Sequence, residues 1–258
     1  MYSSIIDAHI HLDLYNDDER KSILREMEKH KVEALISVSQ HLTSAEANMA
    51  LHQEDKRIKP AFGFHPEQAL PDEQELADLQ HFIEKHQKEM IAVGEVGLPY
   101  YLRQEHKEVP IEPYIEILEF FIQQAVSLKK PIVLHAVYED APIVCDLLEK
   151  YSYAKAHFHW FKGDQITIEQ MSRNGYFISI TPDVLYEKEI QQLVNQYPLS
   201  QIMVETDGPW PFEGPFQNNM THPKMIHQTI EQIASIKGMA LQEVYSILYE
   251  NTKRFYSI

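Results

Sequence analysis

The stretch Ile5-Ile6-Asp7-Ala8-His9-Ile10-His11-Leu12 decides how the rest of the chain is read. Its β-branched opening predicts a strand. Alternate side chains of a strand share a face, so His9 and His11 point the same way. Two imidazoles side by side at a strand's end suit a divalent metal ion. The competing reading is a pair of strand-end histidines hydrogen-bonded to their surroundings. The choice turns on whether later strands bring further ligands to the same end.

They do. Working outward, Ala34–Ser39 reads as a buried strand, Ile58–Pro66 as a third that ends in His65, and Ile91–Gly97 as a fourth carrying Glu95. Pro131–His135 is a fifth, Ala156–His159 a sixth, Tyr176–Ile180 a seventh and Gln201–Asp207 an eighth. Between them lie helical patterns, among them Asp17–Lys31, about Thr43 to Asp55, a helix started by Asp72, and Glu112–Lys129 with Ile115, Leu118, Ile122 and Ala125 inward. Two more close the chain, from about Pro223 to Lys237 and from Leu241 to Phe255. Short apolar strands alternating with helices every ~30 residues are βα units of a parallel sheet. Eight of them close into a (β/α)8 TIM barrel, a single domain over residues 1–258, with its active site at the strands' C-terminal ends. An open doubly wound sheet is the alternative. It is weakened by the lack of a glycine-rich phosphate loop after the first strand.

In the barrel reading His9, His11, Glu95, His135, His159 and Asp207 gather at one end. Buried ionisable groups are costly unless paired or metal-bound, and six of them on apolar strand ends need a common partner. One or two divalent ions bridged by a carboxylate supply it. The mixed donor set suits Zn, Mn, Ni or Fe, with Mg also open.

The bulk numbers agree. At 258 residues and 44% hydrophobic, the chain matches one barrel of about 250 residues, and no Pro/Gly/Ser-rich linker divides it. No basic region followed by an apolar core opens it, and no apolar run nears the ~20 residues of a membrane span. A single cysteine, Cys145, fits a reducing cytosol and so a cytoplasmic location. Its apolar helical setting marks it as a structural thiol. With 23 Lys+Arg against 39 Asp+Glu the net charge is −16. No basic stripe is visible, which disfavours extensive duplex binding. A small phosphate ester or a strand end, held mainly by metal, stays open as substrate.

The whole chain resembles the TatD family of metal-dependent hydrolases, within the amidohydrolase-like barrels. The matching pieces are Asp7-Ala8-His9-Ile10-His11-Leu12, Gly63-Phe64-His65-Pro66, Gly94-Glu95-Val96-Gly97-Leu98, Pro131-Ile132-Val133-Leu134-His135, His159-Trp160-Phe161-Lys162-Gly163, Glu205-Thr206-Asp207-Gly208-Pro209 and the closing Glu250-Asn251-Thr252. The resemblance implies that His9, His11 and Asp207 hold one metal, that Glu95 bridges two, and that His135 completes the second site. It makes His159 a further ligand or a substrate contact, and implies a divalent-metal deoxyribonuclease acting on DNA ends. Two positions depart from the family pattern. Pro99 stands where an acidic residue usually follows Gly-Leu, and Val137 stands where an Arg is common, which removes a phosphate-binding cation. Trp160 replaces a small residue and narrows the pocket.

The expected chemistry is metal-assisted hydrolysis, with Asp207 as general base for water or as a metal ligand only. His65 is expected to hydrogen-bond a substrate phosphate, against a plain role before the turn-forming Pro66. Lys162 and Arg103, placed in loops on the active side, are the nearest candidate phosphate-binding cations, against ordinary surface charge. His157 is read as structural, one layer deeper than His159. The aromatics of Gly208–Phe216 either stack on a flat substrate group or pack a rigid loop over the barrel, and packing is the favoured reading. The other histidines receive no function. Hydrolysis of a C–N or C–O bond in an amide or lactone is the alternative activity, since fold does not fix function. A non-catalytic metal-stabilised scaffold is a third.

Overall fold

The structure, a computed structural model, describes residues 3–258. Eight strands form one all-parallel sheet in the order of the sequence. They are β1 Ile5–Ile10, β2 Val32–Val38, β3 Ile58–Phe62, β4 Ala92–Gly97, β5 Ile132–His135, β6 Ala156–Phe158, β7 Phe177–Ile180 and β8 Ile202–Val204. The sheet closes where the backbone N–H of Asp207 donates to the His9 carbonyl (2.9 Å) and that of His11 to the Gly208 carbonyl (2.8 Å). Closure satisfies the edge groups that an open parallel sheet would leave exposed.

The helices between the strands are α1 Asp17–Glu26, α2 Leu42–Glu54, α3 Glu73–Lys85, α4 Tyr100–Glu105, α5 Glu112–Leu128, α6 Asp140–Lys150, α7 Gln165–Arg173 and α8 Lys188–Gln196. After β8 come α9 Ile226–Lys237 and α10 Leu241–Tyr256. Local chemistry sets their starts. Asn16 and Glu19 form a capping box on α1, and Asp72 and Glu75 form one on α3. The expected Asp17–Lys31 helix is shorter, because the chain leaves it after Glu26 and reaches a positive φ of 55° at Lys31. Among the described residues no helix is long and apolar enough to cross a membrane.

Two apolar layers hold the barrel. The outer face of each strand packs against the helices, with Leu35, Phe62, Leu134 and Phe158 fully buried there beside Phe121, Ile122 and Leu148. Smaller side chains fill the interior, among them Ile6, Ala8, Ala34, Ile36, Ala61, Ala92 and Val133, with Tyr256 of α10 beneath them. His157 lies in this interior. Its Nδ1 meets the Tyr256 hydroxyl at 2.7 Å and its Nε2 the Ser179 hydroxyl at 2.5 Å, while burial holds its pKa well below the usual imidazole range. Both nitrogens are occupied, as its reading as structural requires. Cys145 is fully buried on α6, and burial pushes its thiol up to about 12, so it is inert.

Candidate metal centre

β1 delivers His9 and His11 to the C-terminal mouth of the barrel. The strand shifts register between Asp7 and Ile10, and both imidazoles turn inward with Nε2 3.1 and 3.2 Å from Glu95 Oε2. Asp7, fully buried beneath them, fastens this end to β8. It accepts from the Thr206 backbone N–H (3.0 Å), the Thr206 hydroxyl (2.5 Å) and the His9 N–H (3.3 Å). Burial pushes its pKa up to about 7 against those hydrogen bonds.

Glu95, near the end of β4, is the centre of the cluster and is fully buried. Its two oxygens divide the surrounding groups. Oε2 faces His9 and His11, and Asp207 Oδ1 lies 3.2 and 3.5 Å from the same two nitrogens. Oε1 faces His159 Nε2 (2.7 Å), His135 Nδ1 (3.1 Å) and His65 Nε2 (3.3 Å). His159 also stacks on His9, with ring centroids 3.9 Å apart. Gly97 permits this approach of β4 to β5, because a Cβ there would lie 1.9 Å from the His135 carbonyl oxygen. The β6 ladder ends at Phe158 and that of β8 at Val204, so His159 and Asp207 sit just beyond their strands. Asp207 adopts a positive φ of 49°. That conformation costs about 1–3 kcal/mol for a non-glycine residue and is typical of functional sites. Here it accompanies a carboxylate held against His9 and His11.

Burial opposes every charge in this cluster, and the neighbours decide the outcome. Burial would raise Glu95, but the imidazoles around it, His159 foremost, hold its carboxyl well below the usual range. Asp207 is likewise held low against burial by the His11 and His9 imidazoles facing it. Burial lowers His11, yet Asp207 and Glu95 push it up to about 10. The carboxylates are therefore ionised and need positive charge beside them.

A divalent ion fits that need. Ligands at about 2.0–2.2 Å from one ion lie roughly 3–3.5 Å from each other, which is the spacing of these donors. His9 Nε2, Glu95 Oε2 and Asp207 Oδ1 are fully buried without a hydrogen-bond partner, although each faces the others. Three sets of donors converge closely enough for an ion: His9, His159 and Asp207; His9, His11 and Glu95; and His65, Glu95 and His135. All six residues expected as ligands thus come together. His65, expected as a substrate contact, joins them, because its Nε2 has ligand spacing to Glu95.

The cluster opens into a cavity of about 560 Å³. Its walls carry Tyr101, Val137, Trp160 and Trp210, and Lys162 is the one Lys or Arg side chain among its lining residues. Trp160 is fixed there by two carboxylates. Its backbone N–H donates to Glu205 (2.7 Å) and its indole N–H to Asp183 (2.6 Å). Of the loop aromatics, Phe212 and Phe216 pack with Met225 against Trp160, while Trp210 is 46% exposed at the cavity. Packing therefore accounts for two of the three.

Arg103 needs correcting. It lies on α4 rather than in a loop, and its Nη1 donates to Asp140 Oδ1 at 2.8 Å, away from the cavity wall. Asp140 is fully buried, which pushes its pKa up to about 6 even with the guanidinium opposing. Arg103→Met is expected to destabilise the fold by about 2–4 kcal/mol through the stranded carboxylate. Turnover of a small phosphodiester by the folded variant should be unchanged. Paired melting and rate measurements check this, and a loss of turnover without loss of stability would restore Arg103 to the site.

Three residues given no role by the sequence reading matter to this geometry. Glu205, fully buried at the end of β8, holds Trp160 and accepts from the Ser179 hydroxyl (2.5 Å). Glu67 lies 3.0 Å from His135 Nε2 and accepts from the backbone N–H groups of Tyr101 and Leu102 (2.9 and 2.6 Å) at the start of α4. Tyr101 forms part of the cavity wall. Glu205 had a signal, a carboxylate in an apolar strand end. Glu67 and Tyr101, in loop and short helix, had none.

Residues 6–257 match the family model described as TatD related DNase. The chain is 35% identical over 255 residues to an uncharacterized metal-dependent hydrolase of Haemophilus influenzae, covering 98% of this chain and all of that one. It is 31% identical over 261 residues to human deoxyribonuclease TATDN3, covering 98% and 94%. Its fold matches the crystal structure of YJJV, a TatD homologue of Escherichia coli K12, with a TM-score of 0.86 at 20% identity and 98% coverage of both chains.

Proposed function

Because the chain belongs to the TatD family of metal-dependent hydrolases, we propose that it cleaves phosphodiester bonds, at DNA ends or in small phosphodiesters, from one barrel domain over residues 1–258. The observation that carries this reading is Glu95, whose two oxygens each face a separate group of ligand-spaced side chains. His9, His11 and Asp207 would hold one divalent ion, His135 and His65 a second, with Glu95 between them. His159, near both groups, is a further ligand. The candidate ions for these donors are Zn, Mn, Ni, Fe and Mg. When bound, such ions polarise the phosphoryl group and bring the pKa of water to about 7.

The chain's own residues supply the rest. Asp207, ionised at neutral pH and at the mouth of the cavity, accepts the proton from attacking water. Lys162 is the cation available to a phosphate oxygen in the cavity. Trp160, Trp210 and Tyr101 offer flat faces to a sugar or base. Glu67, on His135 Nε2, fixes that ring with Nδ1 toward Glu95. Val137 faces the cavity without a charge, which leaves Lys162 as the side-chain cation for the phosphate, beside whatever ions the cluster would hold. The single, buried Cys145 suits a reducing, cytoplasmic setting.

The test is hydrolysis of bis(p-nitrophenyl) phosphate by protein stripped of metal and reloaded with Mn, Zn, Ni or Mg. Turnover that returns with metal, and is lost in His135→Ala, supports the proposal. Full metal occupancy without phosphodiester turnover, together with turnover of an amide or lactone, would replace it with C–N or C–O hydrolysis.

A further inference from the structure

The opposite end of the barrel carries the opposite charge. The loops that enter β3, β4, β5 and β6 bring Lys56, Lys88, Lys129, Lys130 and Lys155 to one cavity of about 860 Å³, where Lys59 of β3 and Arg254 of α10 join them. Glu89 is the one acidic side chain among the lining residues. In a chain with 23 Lys+Arg and a net charge of −16, seven of those cations share one concavity. The gathering is invisible in the sequence because it draws on residues 56 to 254.

These charges lack partners of opposite sign. Among the described residues none of the seven forms a salt bridge, as the Lys and Arg pairs present involve Arg20, Arg57, Arg103 and Lys150. Their hydrogen bonds go mostly to carbonyls, from Lys130 to Met90 (2.8 Å), Lys155 to Lys129 (3.2 Å) and Arg254 to Ser200 (3.0 Å). A carbonyl orients an ammonium without neutralising it. Like charges held together repel, and an anion relieves the repulsion. Two half-buried rings, Phe177 and Phe255, line the same cavity with centroids 4.9 Å apart, and the Arg254 guanidinium lies 5.9 Å from the Phe177 ring.

A lysine-lined cavity with two aromatic side chains in its wall is the physical recipe for a single strand, with phosphates on the cations and a base against a ring. A duplex keeps its bases stacked inside and presents phosphates on a convex surface, so it would meet the rim alone. We propose that this cavity binds a short run of single-stranded nucleic acid, at the end of the barrel opposite the metal-ligand cluster. The proposal does not rest on the hydrolytic reading. It gives an acidic molecule a place to grip a polyanion away from its active face.

The test is fluorescence anisotropy of a labelled, hydrolysis-resistant phosphorothioate oligothymidylate of about 20 nucleotides, longer than a typical single-strand site, titrated with the full chain at several salt concentrations. The comparison is a variant carrying Lys56→Gln, Lys88→Gln and Lys129→Gln, all at exposed positions. Affinity should fall at least about tenfold, and the slope of log affinity against log salt should become shallower by about 2, each single-strand contact contributing about 0.7. Its melting temperature and its turnover of a small phosphodiester should match the wild type. Phe255→Leu should weaken oligothymidylate binding and leave inorganic polyphosphate binding unchanged. Coincident titrations for wild type and triple variant would overturn the proposal. So would a wild type that ignores the oligonucleotide and binds poly-glutamate through these lysines, which would assign the cavity to an acidic protein partner.

Discussion

Glu95→Gln should lower kcat for a phosphodiester by at least about 10³-fold, the scale expected when charge stabilisation in a dry site is removed. Gln keeps the shape and turns one oxygen into an N–H2 donor. Glu95 is fully buried and faces five imidazoles through its two oxygens. Whichever way the amide lies, one group of histidines meets a donor where it had a carboxylate oxygen. The bridge between the two groups is then lost, and metal content should fall with the rate. Circular dichroism and melting separate this from unfolding, because the barrel's two apolar layers do not include Glu95. Near-normal turnover by a folded Glu95→Gln protein would remove Glu95 from the centre of the account.

Asp207→Asn should lower kcat by about 10²–10⁴-fold, the usual contribution of a positioned general base, while metal content at saturating metal stays near that of the wild type. The base role and the ligand role separate here. A base that cannot accept a proton leaves the ions in place and slows the chemical step. A ligand-only Asp207 would instead release metal, and excess metal would restore the rate. Asn keeps an oxygen near His9 and His11, which lie 3.2 and 3.5 Å from the present Oδ1, but loses the basic charge, so a rate that stays low at full metal occupancy marks the base role. Metal analysis beside kcat at several metal concentrations decides between them.

The barrel was legible because its signals are local and repeated. Each strand is a short apolar run ending in a polar residue, and His9, His11, Glu95, His135, His159 and Asp207 all mark such ends. The same logic carried His65 to the right end of β3, but not to the group it faces. Strand patterns tell where a side chain lies and not which atom of a neighbour it faces, here Glu95 Oε1 at 3.3 Å. Arg103 was misplaced because α4 is six residues long, too short for a helical period to show. Its partner Asp140 comes from another helix. Glu67 acts through His135 across 68 positions of sequence, beyond the reach of any spacing rule. The basic cavity escaped for the same reason, since loops, strands and α10 spread over residues 56 to 254 build it. Sequence patterns of short period reveal elements, and what those elements bring together needs the closed barrel.

The most direct test of the binuclear account is a titration of metal-stripped protein with Mn or Zn, following bound metal and phosphodiester turnover in the same samples. Turnover should rise to a plateau at two equivalents of bound metal per chain, with Glu95 holding both groups of donors together. A plateau at one equivalent, or two bound equivalents with no phosphodiester turnover, would contradict it.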